Sequence, residues 1–253
     1  MSKLKVLDLF SGIGGFSLGL ERTGGFETVA FCEINPFCRK VLAKHWPDVV
    51  QYTDVRTLSA DQLRADGISV DAVCGGFPCQ DISYAGSGAG LEGTRSGLFY
   101  EIARLAGELR PELILLENVA ALLDRGLGEV LGTLASLGYD AEWHCIPASY
   151  AGLRQLRDRV WIVAYPECNS LQGRSPFSTA WQAQSRAEQL AGLVQPGTWP
   201  TLSSARGWGT GHGVSDGTHR NQSIGNAVSP QVVELIGQAV LRMRAAQITE
   251  EAA

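Results

Sequence analysis

The stretch KVLDLFSGIGGFSLGL (residues 5–20) runs from an apolar segment, through a turn with glycines at 12, 14 and 15, into a second apolar segment of helical spacing. It reads as a buried strand over 5–10, a tight glycine turn, and a helix over 16–23. Glycines at such a turn let the backbone approach a ligand closely. The helix start offers N–H groups that lack intrahelical partners. A strand feeding a helix through a turn of this kind is the building unit of an open parallel sheet.

Outward from that unit the alternation continues. Apolar runs predict strands at TVAFCE (28–33), VVQYTD (49–54), VDAVCG (70–75), LILLEN (113–118), AEWHCI (141–146) and RVWIVAY (159–165). Helix-like stretches lie at 35–45, 97–109 and 126–137. The pattern implies an α/β fold, a mostly parallel Rossmann-like sheet with helices on both faces. Ligands bind such sheets beyond the carboxyl ends of the strands, and Ser11, Glu33, Asp54, Cys79 and Glu117 fall at those ends. After Tyr165 the chain becomes rich in Gly, Ser, Thr and Trp, which reads as a small loop-rich lobe. Regularity returns in SPQVVELIGQAVLRMRAA (229–246), where Val232, Val233, Leu235, Ile236, Val240 and Leu241 can share one helix face. The last stretch, QITEEAA, reads as frayed.

With 253 residues, 45% of them apolar and 19% charged, the chain can bury a full core. No apolar run approaches membrane-spanning length, and MSKLKVLDLF has no signal-peptide layout, so a cytoplasmic protein with no membrane partner is expected. Cysteines at 32, 38, 74, 79, 145 and 168 include no CxxC pair, which argues against a zinc cage and against a disulfide framework. No metal site is expected. Residues 1–150 carry 12 Lys/Arg against 19 Asp/Glu, whereas residues 151–230 carry 7 Arg against 4 Asp/Glu. The acidic part suits a cofactor domain and the basic part a polyanion, although ordinary surface variation produces differences of this size.

Within GGFPCQDIS (75–83), two glycines end a strand and Pro78 fixes the backbone leading into Cys79. That placement suits a reactive thiol, and also a small packed side chain. Glu33, ending the second strand, is placed to accept both hydroxyls of a ribose. Asp54, ending the third, can meet an adenine amino group or cap a turn. With the glycine turn, these acids describe an adenosine-containing cofactor. A strict dinucleotide fingerprint would need a glycine where Ser17 stands, so a nicotinamide-dependent dehydrogenase fits less well. Glu117 closes the apolar LILL run, where a carboxylate is costly to bury without a partner or a task.

Taken in chain order, DLFSGIGG (8–15), Glu33, Asp54, GGFPCQDIS, GLEGTRSGLF (90–99), ENV (117–119), QLRDR (155–159) and GNAVSP (225–230) closely resemble the motif set of the C5-cytosine DNA methyltransferases. The resemblance covers nearly all of 5–165 and 224–242. It implies a class I methyltransferase fold and DNA (cytosine-5-)-methyltransferase activity. S-adenosyl-L-methionine would be bound by Phe10, Gly12, Ile13, Gly14, Gly15, Glu33, Ile34, Asp54, Val55, Pro78, Leu98 and Asn226. The same resemblance implies Cys79 as the nucleophile toward carbon 6 of a flipped-out cytosine, with Glu117 at ring N3. Arg159 would meet the cytosine O2 and steady the thiol loop, Arg157 would hold Glu117 or a phosphate, and Asn118 would keep the shape of the catalytic turn.

Double-stranded DNA would be contacted by Gln80, Ser83 and Arg95 near the nucleophile, and by Arg174, Arg186, Arg206 and Arg220 further on. The implied organisation is a catalytic and cofactor-binding domain over 1–165, a short target-recognition region over 166–224, and a segment over 225–253 that returns to the catalytic domain, in a monomer. The family usually inserts a long recognition region, whereas only residues 160–224, 65 in all, separate the arginine motif from the C-terminal one. An RNA (tRNA) cytosine methyltransferase is therefore the alternative among enzymes. A catalytically weak nucleic-acid-binding relative is the alternative outside them.

Overall fold

A computed structural model of the chain describes residues 2–78, 97–152, 158–166 and 227–251. Seven strands are present: β1 (Leu4–Leu9), β2 (Phe26–Cys32), β3 (Val50–Tyr52), β4 (Ala72–Gly76), β5 (Leu113–Val119), β6 (Tyr139–Pro147) and β7 (Asp158–Pro166). The helices are α1 (Gly15–Arg22), α2 (Pro36–His45), α3 (Ala60–Ala65), α4 (Leu98–Leu109), α5 (Leu122–Arg125), α6 (Leu127–Ser136) and α7 (Pro230–Glu251). The strands form one sheet in the order β3-β2-β1-β4-β5-β7-β6. The first five pair in parallel, and β7 runs antiparallel to both β5 and β6. The chain moves outward from β1 to β3, then returns to lay β4 on the other side of β1. That reversal opens a crevice at the carboxyl ends of β1 and β4.

Side-chain alternation along the strands feeds two cores. Leu7 and Leu9 of β1, Ile114 and Leu116 of β5, and Val160 and Ile162 of β7 pack with Leu63 of α3, Phe99 and Ile102 of α4 and Val130 of α6. The opposite register, Leu4 and Val6, Leu113 and Leu115, Trp161 and Val163, packs under Phe16 and Leu20 of α1 and Val232, Val233, Ile236 and Val240 of α7. The α/β sheet with helices on both faces is the expected one.

Contact between α1 and the C-terminal segment is close. A Cβ on Gly15 would stand 2.5 Å from the carbonyl oxygen of Val228, and one on Gly19 would stand 2.4 Å from that of Pro230. Residues 228–230 therefore lie directly on the helix that begins at the glycine turn. Val228 also reaches Gly76 at the end of β4, so the C-terminal segment comes back to the crevice.

Four details depart from the sequence reading. Helices α3 and α5 are additional; α3 is announced by Ser59, whose side chain accepts from the Gln62 N–H. Strand β3 ends at Tyr52, so Asp54 sits in the turn beyond it rather than on the strand. Leu235 and Leu241 are half-buried rather than part of the fully buried face. The helical path continues through Glu251, across most of the stretch read as frayed.

Candidate active site

The glycine turn after β1 is held from three sides. Phe10, Gly12 and Gly14 have φ of 52°, 54° and 85°, in the left-handed region that costs a phenylalanine more than it costs glycine. Glu33 Oε2 accepts from the Gly12 N–H at 2.7 Å, and its Oε1 accepts from the Asn35 N–H at 2.7 Å. Trp46 stands against the turn, since a Cβ on Gly14 would fall 2.6 Å from its ring. Its indole donates to Glu21 at 2.9 Å.

Beneath the turn lies Asp8, fully buried on β1. Helix α1 has Gly14 as its N-cap with no side-chain cap. Asp8 supplies that function from the neighbouring strand, its Oδ2 accepting from the Ser17 N–H at 3.3 Å and the Ser17 hydroxyl at 2.7 Å. Its other oxygen, Oδ1, is buried without a hydrogen-bond partner. Burial pushes the Asp8 carboxyl up to about 7, against the opposing hydrogen bonds from Ser17.

A cavity of about 250 Å³ opens beside this turn, lined from the ends of successive strands. Phe10 follows β1, Cys32 to Ile34 end β2, Thr53 to Arg56 follow β3, Pro78 follows β4 and Leu98 opens α4. Phe10, Ile34, Val55, Pro78 and Leu98 give it apolar walls, while Glu33 and Asp54 supply acceptors at two of its edges. Ile34 is 66% exposed, an apolar side chain at a cavity lip that a flat ring can cover. The set fits a nucleoside, with carboxylates for its hydroxyl and amino donors and apolar surface for its ring.

The ends of β4 and β5 form the adjoining part of the site. Gly76 pairs with Glu117 across the two strands, and a Cβ on Gly76 would stand 3.1 Å from Glu117 Oε2. Arg159 Nε lies 2.8 Å from Glu117 Oε1, an ion pair whose side chains are 22% and 10% exposed. Asn118, also buried, donates from Nδ2 to the Phe77 carbonyl at 3.2 Å, while its Oδ1 accepts from the Val119 N–H at 2.8 Å. The backbone leading into Pro78 is thus tied to β5. Burial pushes the Cys32, Cys74 and Cys145 thiols up, which disfavours the thiolate at each.

Seven of the twelve expected cofactor residues, Phe10, Glu33, Ile34, Asp54, Val55, Pro78 and Leu98, line the one cavity. Gly12, Ile13, Gly14 and Gly15 form the turn beside it. Asn226, Cys79, Gln80, Ser83, Arg95, Arg157, Arg174, Arg186, Arg206 and Arg220 lie outside the described residues. Arg159, expected at the cytosine O2, has its guanidinium on Glu117, and Arg157, expected on Glu117 or a phosphate, lies outside the described residues. The antiparallel register sets Arg159 opposite Val119, diagonal to Glu117. Sequence reading also missed Cys32, Thr53 and Arg56 in the cavity wall, and Asp8 beneath the turn. A cation two residues after an acid was the available signal for Arg56. Among the described residues there is no cluster suited to a metal ion, and no helix is long and apolar enough to cross a membrane.

The sheet order, the glycine turn after β1 and the cavity over the strand ends define a class I methyltransferase fold. A solved structure of the Dnmt2 methyltransferase of S. pombe shares that fold, with a TM-score of 0.59 at 22% identity, over 72% of this chain and 55% of that one. Residues 4–195 match the family model described as C-5 cytosine-specific DNA methylase, and the chain belongs to that family. It is similar to the type II methyltransferase M2.BsuMI of Bacillus subtilis, with 39% identity over 169 residues, 64% of this chain and 42% of that protein. It is also similar to the type II methyltransferase M.NgoBV of Neisseria gonorrhoeae, with 33% identity over 220 residues, 81% of this chain and 49% of that protein. The chain therefore spans about half the length of these relatives.

Proposed function

We propose that this chain is a DNA (cytosine-5-)-methyltransferase that modifies a flipped-out cytosine in double-stranded DNA and holds S-adenosylmethionine in the cavity over β1 to β4. The observation that carries the reading is the Glu117–Arg159 ion pair set over Gly76, three residues before Cys79 and next to a cavity that ends at Pro78. Membership of the family supports it. S-adenosylmethionine, when bound, supplies a methyl group made electrophilic by its sulfonium. Glu33 would hold the ribose, Asp54 the base amino group, and Phe10 and Ile34 the ring faces. Target contacts are assigned to residues 166–224, including Arg174, Arg186, Arg206 and Arg220.

Carbon 5 of cytosine is a poor nucleophile, and the chain's residues would change that. The Cys79 thiolate adds to carbon 6, and the ring electrons move toward carbon 5. Glu117, held by Arg159, would meet ring N3 in its protonated form and donate its proton there, which offsets the negative charge that develops on the ring. Asn118 fixes the Phe77 carbonyl and so the approach of Pro78 and Cys79. Once carbon 5 is methylated, loss of its proton returns electrons to the ring and expels the thiolate. Extruding the base from the duplex costs a few kcal/mol, recovered through contacts in the pocket.

The full chain, supplied with methyl-labelled S-adenosylmethionine and a mixture of duplex DNA and RNA, is expected to yield labelled 5-methylcytosine in the DNA. Label confined to RNA would establish the RNA enzyme instead. Nucleic-acid binding with no label in either pool would leave a binding relative without activity. Glu33→Ala is expected to weaken S-adenosylmethionine binding by at least about ten- to a hundredfold, the loss expected from a single charge-assisted hydrogen bond worth about 1.5–3 kcal/mol. Calorimetry that gave an unchanged affinity in a folded Glu33→Ala protein would remove the ribose from this position.

A further inference from the structure

Asp54 does not project bare into the cavity. Arg56, two residues on, donates from Nε to Asp54 Oδ1 at 2.9 Å and Oδ2 at 3.1 Å, and from Nη2 to Oδ2 at 2.7 Å. The Arg56 N–H adds a further bond to Oδ1 at 3.0 Å. The turn itself is fixed, because the Asp54 carbonyl accepts from the Thr57 N–H and hydroxyl and from the Leu58 N–H. Behind it, Arg104 of α4 donates to the carbonyls of Val55 and Leu58 at 3.0 and 2.8 Å. Both Asp54 and Arg56 line the cavity.

We infer that Arg56 is a positioning residue that sets the cofactor's base specificity, by fixing the Asp54 carboxylate in the cavity wall as an acceptor for an amino purine edge. The inference rests on the reading of the cavity as the adenosine site. An ionised carboxylate only accepts hydrogen bonds, so it meets a 6-amino group and opposes a 6-oxo group. A protonated one can do either. Arg56 stays charged at all relevant pH and matches the carboxylate with a planar fork, so it keeps Asp54 in the acceptor form. Accordingly, the hydrogen bonds from Arg56 hold the Asp54 carboxyl below the usual carboxylate range. Among the described residues, the other titratable groups facing this pair are Cys32 and Glu33 at the end of β2, and Glu101 of α4 toward Arg56.

The sign of the pH effect follows. A carboxyl whose pKa is lowered keeps its acceptor form to more acidic pH, and loses it as pH falls through that lowered value. Without Arg56 the loss should begin at higher pH, near the ordinary carboxylate range.

The test is calorimetric binding of S-adenosylhomocysteine and S-inosylhomocysteine to the full chain, from neutral pH down to about pH 4. The proteins are the wild type, Arg56→Gln, Arg56→Lys and Asp54→Asn. The wild type is expected to prefer the adenosyl ligand. Arg56→Gln should lose about tenfold of that preference, more at the acid end, while Arg56→Lys keeps the charge and recovers part of it. Equal weakening of both ligands by Arg56→Gln, or an unchanged preference and pH profile, overturns the role of Arg56. If Asp54→Asn alone removes the preference, the adenosine site stands and only the Arg56 inference falls. If Asp54→Asn also leaves the preference intact, the assignment of the base to this wall falls with it. Arg56 has a side chain 62% exposed, so its replacement leaves the core untouched.

Discussion

Replacing Cys79 with serine is expected to lower methyl transfer to cytosine by at least about a thousandfold, because a serine hydroxyl is a far poorer nucleophile than a thiolate. Cys79 itself lies outside the described residues, but its approach does not. Pro78 lines the cavity, and the carbonyl before it is held by Asn118. The described cysteines offer no substitute, since Cys32, Cys38 and Cys74 are buried and burial pushes the thiols of Cys32, Cys74 and Cys145 up. Fluorine at carbon 5 cannot leave as a cation, so the wild type should remain covalently attached to 5-fluorocytosine DNA in the presence of S-adenosylmethionine. The adduct should survive a denaturing gel, disappear in Cys79→Ser and persist in Cys74→Ser. Wild-type turnover by Cys79→Ser would remove the covalent mechanism.

The second large effect concerns stability. The Asp8 carboxyl titrates at about 7 in the folded chain against 3.8 for the free group, because burial disfavours its ionised form. The folded state therefore binds the proton more tightly than the unfolded state does. Stability is unaffected below about pH 4, falls by about 1.4 kcal/mol per pH unit up to about pH 7, and is flat above that. The total is about 4 kcal/mol, a large share of a typical domain's stability. Asp8→Asn keeps an oxygen for the Ser17 N–H and hydroxyl and removes the ionisation. Urea denaturation between pH 5 and 8 should show the variant gaining on the wild type by about 1.4 kcal/mol for each unit up to pH 7. Parallel stability curves for the two proteins would show that Asp8 does not ionise with this cost.

Most of the sheet was legible because the strands are apolar runs with both faces buried, as in LKVLDL and LILLENV. The acids at strand ends were legible for the converse reason, since a carboxylate after such a run needs a partner or a task. Glu33, Asp54 and Glu117 all proved to have partners. What stayed hidden depended on the direction of a neighbouring strand. Nothing local to QLRDR tells that β7 runs antiparallel to β5, yet that direction brings Arg159 onto Glu117. The burial of Asp8 was hidden in the same way. Its position in DLF looks like an interruption of an apolar run until α1 lies across that face and brings Ser17 to it. Short α3 and α5 carry too few turns for periodicity to register.

The seating of α7 on α1 also bears on how the molecule comes together over time. α1 is the first described helix and α7 follows every other described element, yet Phe16 and Leu20 share a buried cluster with Val232, Val233 and Ile236. At ordinary rates of synthesis these two partners emerge from the ribosome on the order of tens of seconds apart. During that interval one side of the sheet, including Trp161 and Val163, has no helix from the C-terminal segment to cover it. Contacts between such distant parts of a chain form slowly, because the loop between them must close before the contact is gained. The late arrival of residues 228–240 makes the half-covered sheet a natural client for chaperones, and it makes docking of α7 the step that covers this face.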